Sequence, residues 1–460
     1  MGFQRIVAIA LAALLVSCAQ APTAPTASDA PATTTQAPAP TTAARPPAAA
    51  AESAAMAAPA PPPLPLAAAA PFTPTPLVEE GKPVKWWFAF KFNAKSFAAC
   101  GGGVQTTSCP FGGTVAQYTR YSRAYVYADS VHPSLQQGAG CIGETQGDPL
   151  GATFDAIYNH ELHYVVWNDQ FYQAPKIPGC SGNSCGAPWG HSKGTLVWND
   201  AGEGLVLQVS TPAWPGAASR DHPRIGDGNT LGCVQDNDIL LSQHFFALQL
   251  TKHDVVKVLR ALQNASVVTD PGNVQIVRNG GPADIQALVS ALGVKSASTT
   301  FTKETLSSGV VLISKPSRLN VPPWQFVSAV LGGVSLKTAT LWQEPKIYTT
   351  PAHKKIGCWD EALSRPGRVE IATSGSWEGT DVGLEGGPGA NFNHAKFAVS
   401  ITNGKHLSVF GDMNQSGALA GNCKSAQNSR GGLFFVVDDE ALNRSITDLI
   451  DGDVARTAPH

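Results

Sequence analysis

The pattern His-x-Lys occurs twice directly ahead of an apolar run: His191-Ser192-Lys193 leads into Gly-Thr-Leu-Val-Trp, and His394-Ala395-Lys396 leads into Phe-Ala-Val-Ser. Each run reads as a buried strand. In an extended chain residues i and i+2 point to one side, so each copy delivers an imidazole and an ammonium to a single face. A fold that uses both copies has to bring two such strands together. The pair of groups suits a phosphodiester. An imidazole attacks phosphorus or protonates a leaving oxygen and a lysine neutralises the non-bridging oxygens, so two copies supply both roles without a metal. His191, Lys193, His394 and Lys396 are therefore the candidate catalytic residues.

A lone His-x-Lys carries little weight, because surface strands show it by accident. The chain has a third instance, His353-Lys354-Lys355, which follows a Thr-Thr-Pro-Ala turn and leads into Ile-Gly-Cys. No strand follows it, and we read it as incidental. The first two copies share further context: Leu205-Val206-Leu207-Gln208-Val209-Ser210 follows one, and Leu407-Ser408-Val409-Phe410-Gly411-Asp412-Met413-Asn414 the other. Each unit reads strand, turn, strand, polar tip. Ser210 lies 19 residues after His191 (210 − 191) and Asn414 lies 20 after His394 (414 − 394). A hairpin would return a hydroxyl or an amide beside each histidine, and the matched offsets suggest an internal duplication. Asn414 equally suits a turn.

Other positions carry less chemistry. Asn168, Asp169 and Gln170 end a predicted strand and either orient the lysines or cap a turn. Trp189 and Trp214 either flank a groove or pack in the core, the commoner fate of tryptophan. Residues 254–262 and 323–331 have helical spacing and read as cover for a sheet face.

Several segments together resemble the deoxyribonuclease II family: Trp167-Asn168-Asp169-Gln170, Trp189-Gly190-His191-Ser192-Lys193-Gly194, Asn393-His394-Ala395-Lys396-Phe397 and Gly411-Asp412-Met413-Asn414, in that order. Pro83-Val84-Lys85-Trp86-Trp87-Phe88-Ala89-Phe90-Lys91 resembles the family's first strand and Tyr125-Val126-Tyr127-Ala128-Asp129 the strand after it; the resemblance spans residues 83–437. It implies a divergent phospholipase D-like α/β fold. Two similar halves, residues 77–270 and 271–460, would each carry a mixed β-sheet flanked by helices, related by a pseudo-two-fold around one shared site. It also implies a metal-independent, acid-favouring endonuclease that cuts DNA through a phosphohistidine to leave 3′-phosphate ends, with Ser210, Asp412, Asn414 and Asn168 contacting phosphate. No cofactor and no metal are expected, DNA is the expected partner, and a monomer should suffice for activity. In the wider superfamily the motif continues to an aspartate, where this chain has Trp198 and Ile401, as in the nuclease branch. Ala395 and Ala398 stand where the family has Ser and often Cys, and no Asn follows Ser210. A lipid-cleaving phosphodiesterase and a non-catalytic DNA-binding lipoprotein are the alternatives.

The N-terminus points to export. Arg5 precedes an apolar run and Leu15-Val16-Ser17-Cys18 looks like a lipobox, so residues 1–18 are expected to be a signal peptide with lipid attached at Cys18. Residues 19–76 are rich in Ala, Pro and Thr and read as an extended tether to the bacterial outer membrane, periplasmic or surface-exposed. The anchor is the only expected membrane contact, since no later apolar run approaches the roughly 20 residues of a spanning helix. Nine cysteines less Cys18 leave an even number for disulfides. Cys100 with Cys109 and Cys180 with Cys185 would close short loops; Cys141 with Cys233 and Cys358 with Cys423 would be long-range. Zinc is disfavoured, because no Cys-x2-Cys is present. The net charge of −2 is poor for holding a polyanion, but eleven histidines would move it to at most +9 (−2 + 11), so acid should favour DNA binding.

Overall fold

In a computed structural model the chain is described over residues 72–98, 106–108, 114–116, 122–222 and 239–458. Cys18, the tether up to residue 71, and Cys100, Cys109 and Cys233 lie outside these residues. Residues 72–76, read as the end of the tether, are packed in part, with Phe72 stacked on His160 at 3.7 Å. The described residues belong to one compact unit.

The N-terminal elements are β1 (Trp86–Lys91), a small hairpin of β2 (Thr106–Ser108) and β3 (Thr114–Ala116), β4 (Tyr125–Asp129), β5 (Gln136–Gln137) and α1 (Pro149–Tyr158). There follow β6 (His163–Asn168), β7 (Lys193–Trp198), β8 (Gly204–Val209), β9 (Gln243–Leu250), α2 (Lys252–Asn264), β10 (Val277–Arg278) and α3 (Ala283–Ser290). The second series begins with β11 (Thr302–Thr305), β12 (Val311–Lys315), α4 (Pro323–Val330), β13 (Leu336–Ala339) and β14 (Val369–Ile371). It continues with the hairpin β15 (Ser374–Trp377) and β16 (Thr380–Gly383), then β17 (Phe397–Ser400), β18 (Leu407–Gly411), β19 (Gly432–Asp438) and α5 (Glu440–Leu449). The expected helices are α2 and α4. α2 starts at a capping box, with the Thr251 hydroxyl accepting from the Asp254 amide and the Asp254 carboxylate accepting from the Thr251 amide.

Two large sheets result, ordered β10-β6-β7-β8-β9-β1-β4-β5 and β11-β12-β19-β18-β17-β13-β14. Five strands run in the same order and the same antiparallel sense in each, β6-β7-β8-β9-β1 in one and β13-β17-β18-β19-β12 in the other. The helices match as well: α1 and α4 lead into β6 and β13, while α2 and α5 follow β9 and β19. Two expectations need correction. The first sheet has only antiparallel pairings among its described strands, and just the second is mixed, through the parallel pair β13 and β14. The 270/271 boundary falls short, because β10 pairs with β6 of the first sheet. The apolar spacing there is too brief to reveal a two-residue edge strand.

The sheets pack face to face through alternate aromatic residues. Phe410 of β18 stacks on Phe88 of β1 at 4.5 Å and on Phe246 of β9 at 4.6 Å, and Phe397 of β17 meets Phe88 and Phe90 edge-on at 5.6 Å. All are fully buried. Aromatic burial on this scale is a large apolar contribution, and it holds the two sheets, hence the two His-x-Lys copies, in fixed relation. Phe410→Ala should cost about 3–5 kcal/mol of stability. A urea midpoint within experimental error of the wild type's would show that the sheets are held together elsewhere.

Candidate functional site

β7 begins at Lys193 and β17 just after Lys396, so each histidine stands in the extended lead-in one step outside its ladder. That leaves its backbone N–H free of the sheet, and the opposite half supplies the acceptor. The His191 amide donates to the Gly431 carbonyl at 2.9 Å, and the His394 amide to the Ser242 carbonyl at 2.8 Å. Gly431 and Ser242 occupy matching places, immediately before β19 and β9. The first crossing is tight. A Cβ on Gly431 would lie 2.0 Å from the Ala265 carbonyl oxygen and one on Gly190 would lie 2.6 Å from the same atom, closer than any side chain permits.

The imidazoles are crossed as well. His191 Nδ1 lies 2.6 Å from the backbone carbonyl oxygen of Asp412, and His394 Nδ1 lies 3.3 Å from Gln243 Oε1. A carbonyl oxygen cannot donate, so His191 carries its proton on Nδ1 and presents an Nε2 lone pair. Burial, then the neighbouring Lys193, holds His191 well below the usual histidine range; for His394 the causes are burial, then Lys396, Lys193 and His191. The two copies thus sense each other's charges: they converge.

Lys193 donates to Asp169 Oδ1 at 2.5 Å, and Arg430 Nη2 donates to Asp169 Oδ2 at 2.9 Å. All three are buried. Burial works against ionisation of Asp169, but Lys193, His191 and Arg430 outweigh it and hold the carboxyl well below its ordinary range. Arg430 also donates to the carbonyls of Trp189, Cys185 and Gly190, which ties the second half to the segment ahead of His191. Lys396 Nζ donates to the His394 carbonyl, and its amide donates to His244 Nδ1 at 3.1 Å. Burial and the Lys396 charge push the His244 imidazole down to about 3. With both histidines neutral, the cations Lys193, Lys396 and Arg430 face one ionised carboxylate, Asp169, and the site is net positive.

The secondary candidates are placed differently from the expectation. The ladders pair Gly194 with Gln208 and Phe397 with Phe410. Continued by one residue they set Lys193 across from Val209 and Lys396 across from Gly411, whose amide donates to the Lys396 carbonyl at 2.9 Å, so the position matching Ser210 is Asp412 and not Asn414. The bonding agrees: Ser210 Oγ accepts from the His244 amide at 2.9 Å, and Asp412 Oδ1 from the Leu433 amide at 3.1 Å. The Ser210 hydroxyl is engaged on the side of the second histidine. It donates to Gln243 Oε1 at 2.5 Å and so braces the group that faces His394. Asn168 donates to the carbonyls of Thr211 and Trp214 at 3.3 and 3.2 Å, which makes it a brace for that loop and not an orienting group for a lysine. Asn414 is buried, and its Oδ1 has no hydrogen-bond partner among the described residues. Trp189 and Trp214 are buried core residues.

The Asp412 carboxyl accepts from Leu433 and from the Ser192 hydroxyl, which itself accepts from Trp167 Nε1 at 2.9 Å. Burial pushes the group up to about 7 despite these bonds. A raised carboxyl stabilises the fold fully below the unfolded value, near 4, and that contribution is lost as pH rises toward 7. The stability of wild type relative to Asp412→Asn should therefore fall between about pH 4 and pH 7. Parallel pH profiles for the two proteins would refute the assignment.

Asp169 was legible only as one of three polar residues; Arg430, Gln243 and His244 were missed. Two buried lysines were missed too. Lys315 donates to the carbonyls of Asn428 and Arg430 at 2.8 Å each, and Lys91 to those of Phe92 and Ser122 at 3.0 Å. They hold matching positions, Lys91 across from Gln243 and Lys315 across from Gly432. A lysine closing each of the matched strands β1 and β12 was a usable signal. The Cys180–Cys185 and Cys358–Cys423 disulfides are formed as expected. Cys141 is disulfide-bonded as well.

The described residues hold no cluster of three or more metal-ligating side chains and no helix long and apolar enough to cross a membrane. Comparison with protein families matches residues 75–271 to the family described as Deoxyribonuclease II. The match takes in His191, Lys193, Asp169 and Gln243 and ends before the second His-x-Lys. No curated protein matches the chain.

Proposed function

From the match of residues 75–271 to the deoxyribonuclease II family we propose that the chain is a member of that family and a metal-independent, acid-favouring DNA endonuclease whose single site draws one histidine from each sheet. The observation that carries this reading is the crossed support of the two imidazoles, His191 by the Asp412 carbonyl and His394 by Gln243. The shared order of five strands favours a pseudo-two-fold, phospholipase D-like pairing of the sheets.

His191 is the nucleophile in this reading. Its Nδ1 proton is committed to a carbonyl, and burial keeps the Nε2 lone pair unprotonated. Nε2 attacks phosphorus, the bond from phosphorus to the 5′ oxygen breaks, and His394 gives that oxygen a proton from Nε2. Water then attacks the phosphohistidine, His394 takes the proton back, and a 3′-phosphate end leaves. Lys193, Lys396 and Arg430 offset the charge on the non-bridging oxygens, which in a buried site counts for more than in water. Lipid attachment at Cys18 would place the enzyme at the bacterial outer membrane.

The direction of the pH dependence follows from His394. The general acid works only when protonated, and burial with Lys396 and Lys193 lowers its affinity for a proton, so the active fraction grows as pH falls. Plasmid cleavage by residues 72–460 in excess EDTA should be at least about tenfold faster near pH 5 than near pH 7.5. Cleavage that requires a divalent cation, or that strengthens as pH rises, would overturn the proposal.

A further inference from the structure

The third His-x-Lys, set aside as incidental, lines a cavity of about 340 Å³ with His353, Lys354, Lys355, Trp359 and Arg365, and no carboxylate among the described residues lines it. His353, Lys355 and Arg365 are exposed and Trp359 is half-buried. The nearest acidic residues in sequence are turned to other uses or to solvent: Asp360 accepts from the Ala362 amide at 2.9 Å, and Glu361 is exposed. This loop is also fastened to the catalytic segment. The Cys358–Cys423 disulfide and the Cys358 amide, which donates to the Leu419 carbonyl at 2.9 Å, hold it against the loop that leaves the site at Asn414 and returns at Arg430. Five residues of chain from Asn414 to Leu419 span at most about 18 Å, or about five steps of B-form duplex at 3.4 Å each.

We propose that this cavity is a second phosphate subsite, which holds the backbone of the DNA flanking the scissile bond. The inference rests on the nuclease reading for the source of the phosphate, and on the cavity's own charge and position for the rest. Its cations line a single concave surface, and Trp359 offers an apolar face against sugar or base. A polyanion anchored here and at the net-positive catalytic cluster spans two fixed points of one loop. Backbone contacts of this kind position the duplex without reading its sequence.

The test is equilibrium binding of a labelled duplex of about 30 base pairs to the chain carrying His191→Ala, which prevents cleavage during the measurement, over a series of salt concentrations. Adding Lys355→Gln and Arg365→Gln should weaken binding about tenfold and lower the slope of log K against log salt by about 2, near 0.9 for each phosphate that is no longer neutralised. The exposed residues Lys85 and Arg260, changed together to Gln, carry the same change in charge and should leave the slope within about 0.5 of the parent. An unchanged slope in the first variant, equal weakening in both, or a parent that does not bind duplex would overturn the subsite. If duplex binding and the reduced slope hold while the chain with His191 intact cuts no DNA, the nuclease reading fails and the subsite stands.

Discussion

Alanine at either His191 or His394 should lower DNA cleavage by about 10⁴-fold or more, because each does work the other cannot take over. The expected losses are equal in size but different in kind. Without His191 no phosphohistidine forms at any pH. Without His394 the nucleophile remains, and the 5′ oxygen has to depart unprotonated. Quenching a reaction with 5′-end-labelled DNA in denaturant at alkaline pH, where a phosphohistidine survives, followed by proteolysis and mass analysis, should find phosphate still esterified to the 3′ oxygen of the cleaved strand on the peptide carrying His191 in the wild type and none in His191→Ala. Wild-type rates in either variant would remove the shared site, and phosphate on the peptide carrying His394 would reverse the assignment of roles.

Asp169→Asn should destabilise the fold by about 3–5 kcal/mol, the usual cost of stripping the partner from a buried charge. Lys193 and Arg430 both lie buried against this carboxylate, so its loss leaves two cations facing each other without an anion. The pH dependence is opposite in sign to that of Asp412. Lys193, His191 and Arg430 depress Asp169 against the effect of burial, so its stabilisation is present above the unfolded value near 4 and is lost as pH falls below it. The gap in urea midpoint between wild type and variant should be full near pH 6 and should close in stronger acid. A variant within about 1 kcal/mol of wild type near pH 6 would mean that solvent, and not Asp169, balances the two cations.

The two carboxyls together place their joint stabilisation in mild acid. Asp412 is most stabilising when neutral and Asp169 when ionised, and the range near pH 5 satisfies both. Neither property is visible in the residue type. Both follow from what surrounds each group, a carboxyl facing an amide and a hydroxyl in one case and two cations in the other.

Local pattern was enough to identify the two His-x-Lys strands, the hairpins after them, helices α2 and α4 and the short-loop pair Cys180–Cys185. Side-chain periodicity and short loop closure are properties of neighbouring residues, so a linear chain displays them. The offset that aligned Asn414 with Ser210 failed because counting from each histidine ignores the ladder, which continued by one residue sets Gly411 across from Lys396 and makes Asp412 the match. The tertiary structure alone decided that each half supports the other's histidine, that Arg430 reaches Asp169 across 261 positions of sequence and that Gln243 faces His394. A backbone carbonyl such as that of Asp412 has no sequence signature at all. An arginine or glutamine bound for a site looks like any other until the packing of Phe88, Phe246 and Phe410 brings the two sheets into register.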